Sequence, residues 1–478
     1  MAAHGVWSVL VSLVFVAHGQ VKVMTPRELV GAFADHGRIM GSTSTFGAPF
    51  YRDRVLGQLA YGPSLTGKNF CSEEDYDIPP PKTQRAAGGQ DKVRLINIVI
   101  VRRGNCSFTT KVKIAQAKGA HAVIIVDRED SDYTSRDLAN IIVADDGYGD
   151  VIHIPSVLIS KEDGRRLIEA AQRSQVVVEL AWDLPTDHVV TVDMWMSSAS
   201  IASMKFIKEF APKRRALNEV MIFNPHYAVF SMDQGNPAVY SGVCLDNQPK
   251  FCAEDPDGGG DITGKDVLEE DVRQLCIHDK TKKSRTSLDD LVKGKASVEY
   301  AAEYWDYMEK FPDRCPLDGS GKAKFGLECS LQVMKEVGID TAEIQACATA
   351  ERDARLSHEL ENPAWSPRAL RINGWRYSGM LTADLVVRAV CSGFIHEPRE
   401  CSDLITARDV FRPYIPVPSG GVSLGELLGW LLATISLGFV CMLMYKRYLK
   451  KEMRTTLREE VMLEVQAQMG EYAQLRGA

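Results

Sequence analysis

A short polar loop, Arg102–Phe108, reads Arg-Arg-Gly-Asn-Cys-Ser-Phe and combines residue types that can bind a ligand without reacting with it. The guanidinium of Arg103 offers a planar fork of N–H donors that matches a carboxylate or a peptide carbonyl oxygen. Gly104 has no side chain, so the backbone of a ligand can approach closely there. The loop is therefore a candidate binding site with Arg103 as its main donor. The alternative is that Arg103 is a solvated surface arginine.

The same loop contains a candidate glycosylation site, because Asn105-Cys106-Ser107 satisfies the N-x-Ser sequon. A disulfide at Cys106 would lie at the centre of the sequon and could block modification of Asn105. A glycan at this position would obstruct the loop. Either the sequon is unused, or the loop is not the binding site.

A second polar stretch, Asp255–Asp261, is rich in carboxylates, as a calcium-binding loop would be. It departs from the EF-hand ligand pattern and has no glutamate at the twelfth position, which favours an ordinary acidic loop. The sequence has no H-E-x-x-H or P-loop motif, and its Ser, His and Asp residues do not assemble into a recognisable triad. We therefore expect no metal, no cofactor and no enzymatic activity.

Cysteine usage indicates an oxidising compartment. The chain has eleven cysteines, of which ten precede residue 424 and one, Cys441, lies in an apolar run. They sit singly, with no C-x-x-C pair, so disulfides are a better interpretation than zinc ligands. The net charge of −7 and the pI of about 5.9 argue against a nucleic-acid-binding protein.

A charge-free run, Leu427–Tyr445, is long enough to cross the roughly 30 Å apolar core of a bilayer. Lys446, Arg447 and Lys450 follow it directly, so the positive-inside rule places the C-terminal tail in the cytoplasm. A short apolar run within residues 1–19 predicts a secretory signal peptide. We expect a type I membrane protein with a linker at 412–423, a transmembrane helix at 424–445 and a tail at 446–478. The alternative for the apolar run is a buried core helix.

Residues 20–186 alternate between apolar strand and helix patterns. Buried strands are predicted at Leu95–Val101, Ala122–Asp127, Ile154–Ser160 and Val176–Leu180, with helices at Thr109–Lys118 and Lys161–Arg173. This alternation predicts an α/β domain with several parallel strands.

Residues 187–411 predict a second α/β domain with a helical, cysteine-bearing insertion. Strands are expected at Val189–Met194, Val220–Pro225 and Tyr227–Phe230, and a hairpin with an Asn-Gly turn at Ser366–Gly379. The predicted helices are Ser200–Phe210, Val267–Cys276, Val298–Phe311, Leu331–Val337 and Thr382–Cys391. The aromatic residues Tyr300, Trp305, Tyr307 and Phe311 have near-helical spacing and are expected in the core.

Three separated segments of the first domain, Val101–Lys111, Ala115–Asp127 and Ile154–Ser160, resemble a protease-associated (PA) domain in order and spacing. The fold class is then a β-rich α/β PA domain. The resemblance implies that the loop lies at a rim that can hold an extended peptide. It also implies a disulfide from Cys106 to Cys71, the other cysteine of this domain.

The second domain resembles a thioredoxin-like domain, with Pro367 matching the proline before the third strand, which is often cis. The thiols of such enzymes lie at a helix N-terminus, and the matching place, Met196–Ile201, has no cysteine, so redox activity is not expected.

Segments such as Phe251–Asp257, Tyr304–Tyr307, Arg314–Pro316 and Cys391–Phe394 are similar to the central region of plant vacuolar sorting receptors. That family consists of type I receptors of the Golgi and prevacuolar compartment that collect soluble vacuolar cargo through short peptide signals. The resemblance places cargo contacts on Arg103, Gly104, Asn105, Cys106, Ser107 and Phe108. The chain departs from the family in lacking the EGF-like repeats before the membrane, so calcium control of cargo binding is not expected.

The tail contains Tyr472-Ala-Gln-Leu475, which matches the tyrosine-based signal that clathrin adaptors bind as an extended peptide. Met453, Leu457, Val461 and Val465 recur at every fourth residue before it, which predicts an amphipathic helix. The predicted partners are thus soluble cargo outside and clathrin adaptors inside.

We expect a non-enzymatic cargo-sorting receptor that releases cargo in acidic compartments, with His121 and His153 as candidate pH sensors. If both histidines are merely exposed, they have no such role. The rival functions are a PA-bearing membrane protease, a thioredoxin-type oxidoreductase, a PA-bearing ubiquitin ligase or a scaffold without cargo. The ubiquitin ligase is disfavoured because the tail after residue 446 has no cysteine or histidine for a zinc-bound RING.

Overall fold

The computed structural model describes residues 20–61, 70–78, 83–85, 92–233, 240–245, 248–258, 260–286, 297–416 and 424–475. The predicted signal peptide at 1–19 lies outside these residues. The chain divides into two compact units, Met1–Pro416 and Val417–Ala478, which are described separately.

The part of the larger unit before residue 186 is an α/β domain. Its described strands are β1 (Val21–Thr25), β2 (Arg38–Ile39), β3 (Gly41–Thr43), β4 (Val55–Ala60), β5 (Thr83–Arg85), β6 (Lys92–Arg94), β7 (Ile96–Arg102), β8 (Ala122–Val126), β9 (Ser156–Ile159) and β10 (Val177–Leu180). Its helices are α1 (Arg27–Val30), α2 (Ala34–Gly37), α3 (Phe108–Ala117), α4 (Ser135–Asn140) and α5 (Lys161–Arg173).

Eight of these strands form one sheet in the order β2-β1-β10-β4-β7-β8-β9-β3, while β5 and β6 form a separate hairpin. Strands β4, β7, β8 and β9 are parallel neighbours. All residues of β8 are buried, as expected for a central strand covered on both faces. The predicted strands and helices of this domain are confirmed, with ends shifted by one or two residues.

The parallel strands determine where the loop lies. Arg103 directly follows β7, and Asp127 directly follows its neighbour β8. Because parallel neighbours end at the same edge of a sheet, these two side chains come together although they are 24 residues apart. Ser107 then caps the N-terminus of α3 by accepting a hydrogen bond from the Thr110 amide.

The part after residue 187 contains a mixed four-stranded sheet in the order β12-β11-β15-β16. The described strands of this part of the chain are β11 (Val190–Met196), β12 (Met221–Tyr227), β13 (Lys282–Ser284), β14 (Glu299–Ala301), β15 (Leu370–Ile372) and β16 (Trp375–Arg376). Strands β13 and β14 pair with each other and are not part of the four-stranded sheet. Its helices are α6 (Ile201–Ala216), α7 (Gly264–Thr281), α8 (Ala302–Arg314), α9 (Leu327–Glu336), α10 (Thr341–Ala350), α11 (Arg352–Glu361), α12 (Ala383–Ser392) and α13 (Arg399–Leu404).

Two predictions for this domain are corrected. The two segments predicted at Val220–Pro225 and Tyr227–Phe230 are one strand, β12, which tolerates Pro225 because it is at the edge of the sheet. The helix predicted from Val298 begins only at Ala302, because β14 pairs with β13 in a hairpin. The cis peptide bond of the described residues lies at Thr25-Pro26, so Pro367 is not preceded by a cis bond.

Helices α7 to α11 form the insertion between β12 and β15, and its predicted aromatic core is confirmed. Tyr300, Trp305, Tyr307 and Phe311 are each at most 3% exposed. The structure pairs the ten cysteines as Cys71–Cys106, Cys244–Cys252, Cys276–Cys347, Cys315–Cys329 and Cys391–Cys401. The bond from Cys276 to Cys347 joins α7 to α10.

The two domains of the larger unit are in close contact. The backbone N–H groups of Gly379 and Met380 donate to the carbonyls of Ser44 and Gly47 at 2.9 and 2.7 Å. Gly379 has a φ of +104°, and a Cβ there would lie 2.4 Å from the ring of Pro49. This position therefore needs glycine both for its backbone conformation and for the close approach.

The smaller unit is one helix, α14 (Leu424–Leu475), of 52 residues. Within the described residues, Leu428–Gln466 is the one helical stretch long and apolar enough to span a membrane. At 1.5 Å per residue the whole helix is about 78 Å long, more than twice the roughly 30 Å apolar core of a bilayer. The predicted span at 424–445 and the predicted amphipathic helix of the tail lie within this one uninterrupted helix.

Candidate peptide-binding loop

Arg103 is held on two sides. Its Nη1 donates to Oδ1 of Asp127 at 3.0 Å, and its guanidinium lies 5.4 Å from the centre of the Phe108 ring. Its backbone N–H also donates to the carbonyl of Val126 at 2.8 Å. The Arg103 side chain is 30% exposed, whereas that of Asp127 is fully buried. Arg103 thus neutralises a buried carboxylate and still presents part of its donor fork at the surface.

Asp127 depends on this contact. Its Oδ2 atom is buried and has no hydrogen-bond partner among the described residues. A buried carboxylate with one unsatisfied oxygen is costly, and loss of its remaining cationic partner would cost more. Any test that removes the Arg103 side chain therefore changes the stability of the domain as well as the loop surface.

The turn after Arg103 has an unusual backbone. Gly104 and Asn105 have φ values of +120° and +66°, both in a region that L side chains rarely adopt. A Cβ at Gly104 would have no heavy atom within 4 Å, so the space above it is open. Cys106 is bonded to Cys71, which ties the turn to the chain before β7. Asn105, the sequon residue, is exposed.

Ser107 and Thr109 connect the loop to the acidic segment Asp145–Gly149. Thr109 donates to Oδ1 of Asp146 at 2.6 Å. Hydrogen bonds from the side chains of Thr109 and Ser107, in that order, lower the pKa of the exposed Asp146 carboxyl. Asp146 is therefore a stable negative charge next to the loop.

Lys111, which sequence reasoning missed, lies behind the disulfide. Its side chain is fully buried and its Nζ is 3.6 Å from Sγ of Cys71. Burial lowers the pKa of Lys111 to about 8, opposed by the charge of Asp75. The only sequence signal was the position of this lysine on the inner face of α3.

His121 and His153 are half-buried rather than exposed. Burial lowers the pKa of each imidazole. Nδ1 of His121 accepts the Asn97 amide at 3.3 Å, whereas Nδ1 of His153 is buried without a partner among the described residues. Both imidazoles therefore stay neutral at pH values at which an ordinary histidine is already protonated. Neither side chain is in the loop.

A groove of about 330 Å³ lies between the two domains, next to the same acidic segment. One side contains Phe46 and Asp145, and the other contains Trp365, Pro367 and Arg368. The chain from Asp145 to Asp146 therefore borders both the groove and the loop.

Where a thioredoxin enzyme has its thiols, this chain has Ser197 and Ser198, and the Ser198 amide donates to the buried Asp271 at 2.9 Å.

The carboxylates of the acidic loop at Asp255–Asp261 hold their own turn. Oδ1 of Asp255 accepts from the Gly258 amide at 2.9 Å, and Oδ2 of Asp257 accepts from the Ile262 amide at 3.0 Å. This arrangement fits the interpretation of an ordinary acidic loop.

In the smaller unit, Tyr472 and Leu475 are within the last turns of α14, whose backbone is helical there.

Comparison with known proteins identifies both domains. Residues 190–391 match the family described as the vacuolar sorting receptor thioredoxin-like domain, and residues 55–167 match the PA domain. The sequence is 28% identical to vacuolar-sorting receptor 4 of Arabidopsis thaliana over 83% of this chain and 64% of the relative. It is 28% identical to vacuolar-sorting receptor 1 of Pisum sativum over 79% of this chain and 60% of that protein.

Other matches are shorter or weaker. Signal peptide peptidase-like 4 of Oryza sativa subsp. japonica is 27% identical over 37% of this chain and 31% of that protein. Among solved structures, oxidised DsbA of Mycobacterium tuberculosis has a TM-score of 0.27 and 10% identity, covering 45% of this chain and 88% of that chain.

The chain spans 60–64% of the length of the first three plant receptors that it matches. Its PA domain, its thioredoxin-like domain and one candidate membrane-spanning helix follow one another in the chain. Through both of these domains the chain is similar to the vacuolar-sorting receptors.

Proposed function

We propose that this protein is a membrane-anchored sorting receptor that binds short peptide signals on soluble cargo and delivers that cargo from the Golgi to vacuolar or lytic compartments. The observation that carries the proposal is the pairing of a PA domain with a vacuolar sorting receptor thioredoxin-like domain in one chain. The names of the relatives favour binding of cargo over catalysis.

The loop Arg103–Phe108 is the proposed cargo-binding site. The exposed part of the Arg103 fork would donate to a carbonyl or carboxylate of the signal peptide. The open space above Gly104 would admit the peptide backbone, and the Phe108 ring would support the guanidinium from one side. Cys106 and Ser107 would contribute by holding this shape, through the disulfide and the helix cap respectively.

The groove between the domains is the natural continuation of this site. It borders the same acidic segment as the loop, and it presents the aromatic ring of Trp365. A peptide held at Arg103 would pass the exposed carboxylate of Asp146, which suits a signal with a basic residue. This extension makes the central domain a second contributor to cargo binding.

The tail would recruit clathrin adaptors through Tyr472 and Leu475. Adaptor recognition of this kind uses an extended peptide. The helical backbone at these positions would therefore have to unwind, which costs little at the end of a helix, where the last carbonyls lack intrahelical partners. Exchange of Tyr472 for Ala should abolish adaptor binding, whereas exchange of the neighbouring Ala473 for Ser should not.

The decisive experiment measures binding of a panel of vacuolar-signal peptides to the full-length chain in detergent. Because Arg103→Ala alone would leave Asp127 without its cation, the test variant is Arg103→Ala combined with Asp127→Asn. Arg102→Ala is the matched control, because Arg102 is adjacent and its ion pair is with the exposed Glu129. We expect saturable binding in the wild-type chain and in the control, and at least a tenfold loss in the double variant.

The other outcomes are distinct. Binding that survives in the double variant would keep the receptor function but move the site, with the groove at Trp365 as the next position to test. No binding to any peptide would argue against a receptor, and turnover of a peptide or dithiol substrate would establish an enzyme instead.

A further inference from the structure

A second cavity lies in the thioredoxin-like domain. It has a volume of about 570 Å³ and lies at the carboxyl end of β12, against α7 and α11. The carboxyl ends of strands in open α/β sheets are where ligands commonly bind. The polar residues of its wall include His226, His358, Glu359, Arg355, Lys282 and Asp279.

Three side chains in this cavity have donor atoms that converge. His226, His358 and Glu359 each place one ligand atom so that all three lie within 4.8 Å of one another. Nδ1 of His226 and Oε2 of Glu359 are already 3.1 Å apart. Donors around a tetrahedral Zn²⁺ at about 2.0–2.2 Å are about 3.3–3.6 Å apart. A small rotation of the exposed His358 side chain would therefore complete a three-ligand set.

Two of the three ligands are held in position. The His226 ring stacks on Trp195 with centroids 4.5 Å apart and planes inclined by 12°. The indole N–H of Trp195 in turn donates to the carbonyl of Asn362 at 2.8 Å. Glu359 accepts the backbone N–H of Tyr227 at 3.0 Å. Such outer contacts orient ligands at metal sites.

The charge of the cavity also favours a cation. Glu359 is 3% exposed and has no lysine or arginine partner among the described residues. The basic residues of the wall are engaged elsewhere, since Arg355 and Lys282 both pair with Asp279, at 3.0 and 3.5 Å. A buried carboxylate needs a compensating charge or several donors, and here Glu359 has one backbone amide and the His226 imidazole as partners.

We propose that His226, His358 and Glu359 bind a divalent transition-metal cation, with Zn²⁺ as the best match. Two imidazoles and one carboxylate are a donor set that zinc accepts, and the fourth position would face the cavity and take water or a ligand group. The metal would join the end of β12 to α11, and so fix the helical insertion to the sheet.

The experiment uses the full-length chain in detergent, treated with a chelator and then titrated with Zn²⁺ alone by isothermal calorimetry. We expect one equivalent to bind and the thermal unfolding midpoint to rise. His358→Ala should weaken binding at least tenfold without loss of folding, because that side chain is exposed. Glu359→Gln should also weaken Zn²⁺ binding at least tenfold. The visible spectrum of bound Co²⁺ should report a tetrahedral site in the wild-type chain and in neither of these two variants.

His188→Ala is the control, because His188 and His396 form another neighbouring histidine pair, with ring centroids 6.1 Å apart. Binding in this variant should equal that of the wild-type chain. The proposal is overturned if no saturable binding occurs, if His358→Ala binds Zn²⁺ as tightly as the wild-type chain, or if the His188→Ala exchange abolishes binding.

Discussion

Tyr51 and Tyr377 stack face to face across the boundary between the two domains, with ring centroids 5.3 Å apart and planes inclined by 17°. The Tyr51 hydroxyl donates to the carbonyl of Ser378 at 3.1 Å and accepts the Ser378 amide at 3.0 Å. Tyr51 is 2% exposed, and burial raises the pKa of its phenol. The domain boundary thus contains a polar contact that water cannot replace.

Tyr51→Phe should therefore destabilise the protein. The exchange removes one hydroxyl and leaves the N–H and C=O of Ser378 without that partner in a buried place, which costs about 1–3 kcal/mol. The free energy of unfolding, measured by denaturant titration of the full-length chain, checks this. Tyr133→Phe is the control, because Tyr133 is 52% exposed. Equal stability of the two variants would contradict a structural role for the Tyr51 hydroxyl.

Arg103→Ala should lower the stability of the PA domain by about 1–3 kcal/mol, because it leaves the Asp127 carboxylate buried without a cation. The loss should be smaller than the roughly 3–5 kcal/mol typical of fully buried pairs, since Arg103 is 30% exposed. Asp127→Asn in the same chain should restore most of the loss. The thermal unfolding midpoint reports both effects.

The neighbouring Arg102 supplies the comparison for this series. Its partner Glu129 is 70% exposed, so Arg102→Ala should change stability by about 1 kcal/mol or less. If Arg103→Ala were as stable as Arg102→Ala, the contact with Asp127 would contribute nothing.

Acidification should destabilise the thioredoxin-like domain through His278. Burial, reinforced by the positive charges of Lys282 and Arg214, lowers the pKa of His278 to about 3, while an unfolded histidine titrates near pH 6.5. As the pH falls, His278 is therefore protonated in the unfolded chain before it is protonated in the folded chain. The stability from neutral His278 is complete above about pH 6.5 and is lost as the pH falls toward 3. Between pH 6.5 and 5 the loss is about 2 kcal/mol.

His278→Phe should flatten this dependence, because phenylalanine keeps the aromatic contacts with Tyr304 and Phe223 but cannot be protonated. Unfolding midpoints at pH 7 and pH 5 provide the measurement. Other groups keep their own contributions in this variant, since burial lowers the pKa values of His121 and His153 and raises the pKa of Asp271 to about 8, and these shifts act in opposite directions. The expected result is therefore the change in the difference between pH 7 and pH 5, relative to the wild-type chain. An unchanged difference between the two pH values in His278→Phe would refute the assignment.

The sequon at Asn105 should remain unmodified in the folded protein, because the disulfide between Cys71 and Cys106 fixes the residue next to it. Replacement of both cysteines by alanine keeps the sequon and frees the turn, so the glycosylated fraction should rise. A mass shift on endoglycosidase treatment measures this. The double exchange of Cys315 and Cys329 to alanine, in the other domain, should leave the fraction unchanged. A fully glycosylated wild-type chain would argue against the loop as the cargo site.

Local sequence patterns predicted much of the fold. The strand at Ala122–Val126 and the helix at Lys161–Arg173 were found because apolar runs and amphipathic periodicity depend only on neighbouring residues. The hairpin around Asn373 was found for the same reason, and Asn373 and Gly374 indeed have φ values of +50° and +77°.

Long-range pairing could not be predicted in this way. The segment Glu299–Ala301 has a helical pattern, yet it is a strand because it pairs with Lys282–Ser284. The ion pair between Arg103 and Asp127 depends on β7 and β8 being parallel neighbours. The cluster of His226 and Glu359 joins residues more than a hundred positions apart, and no motif spacing connects them.

The disulfide connectivity has a consequence for a chain that is oxidised while it is synthesised from its N-terminal end. Each cysteine before residue 250 can meet its partner before any later cysteine arrives, so oxidation of the PA domain can be complete before the second domain is synthesised. Only Cys276 must wait, while Cys315 and Cys329 pass and pair with each other, until Cys347 emerges 71 residues after it. Premature capture of Cys276 by Cys315 or Cys329 is therefore the wrong pairing that this order of arrival favours.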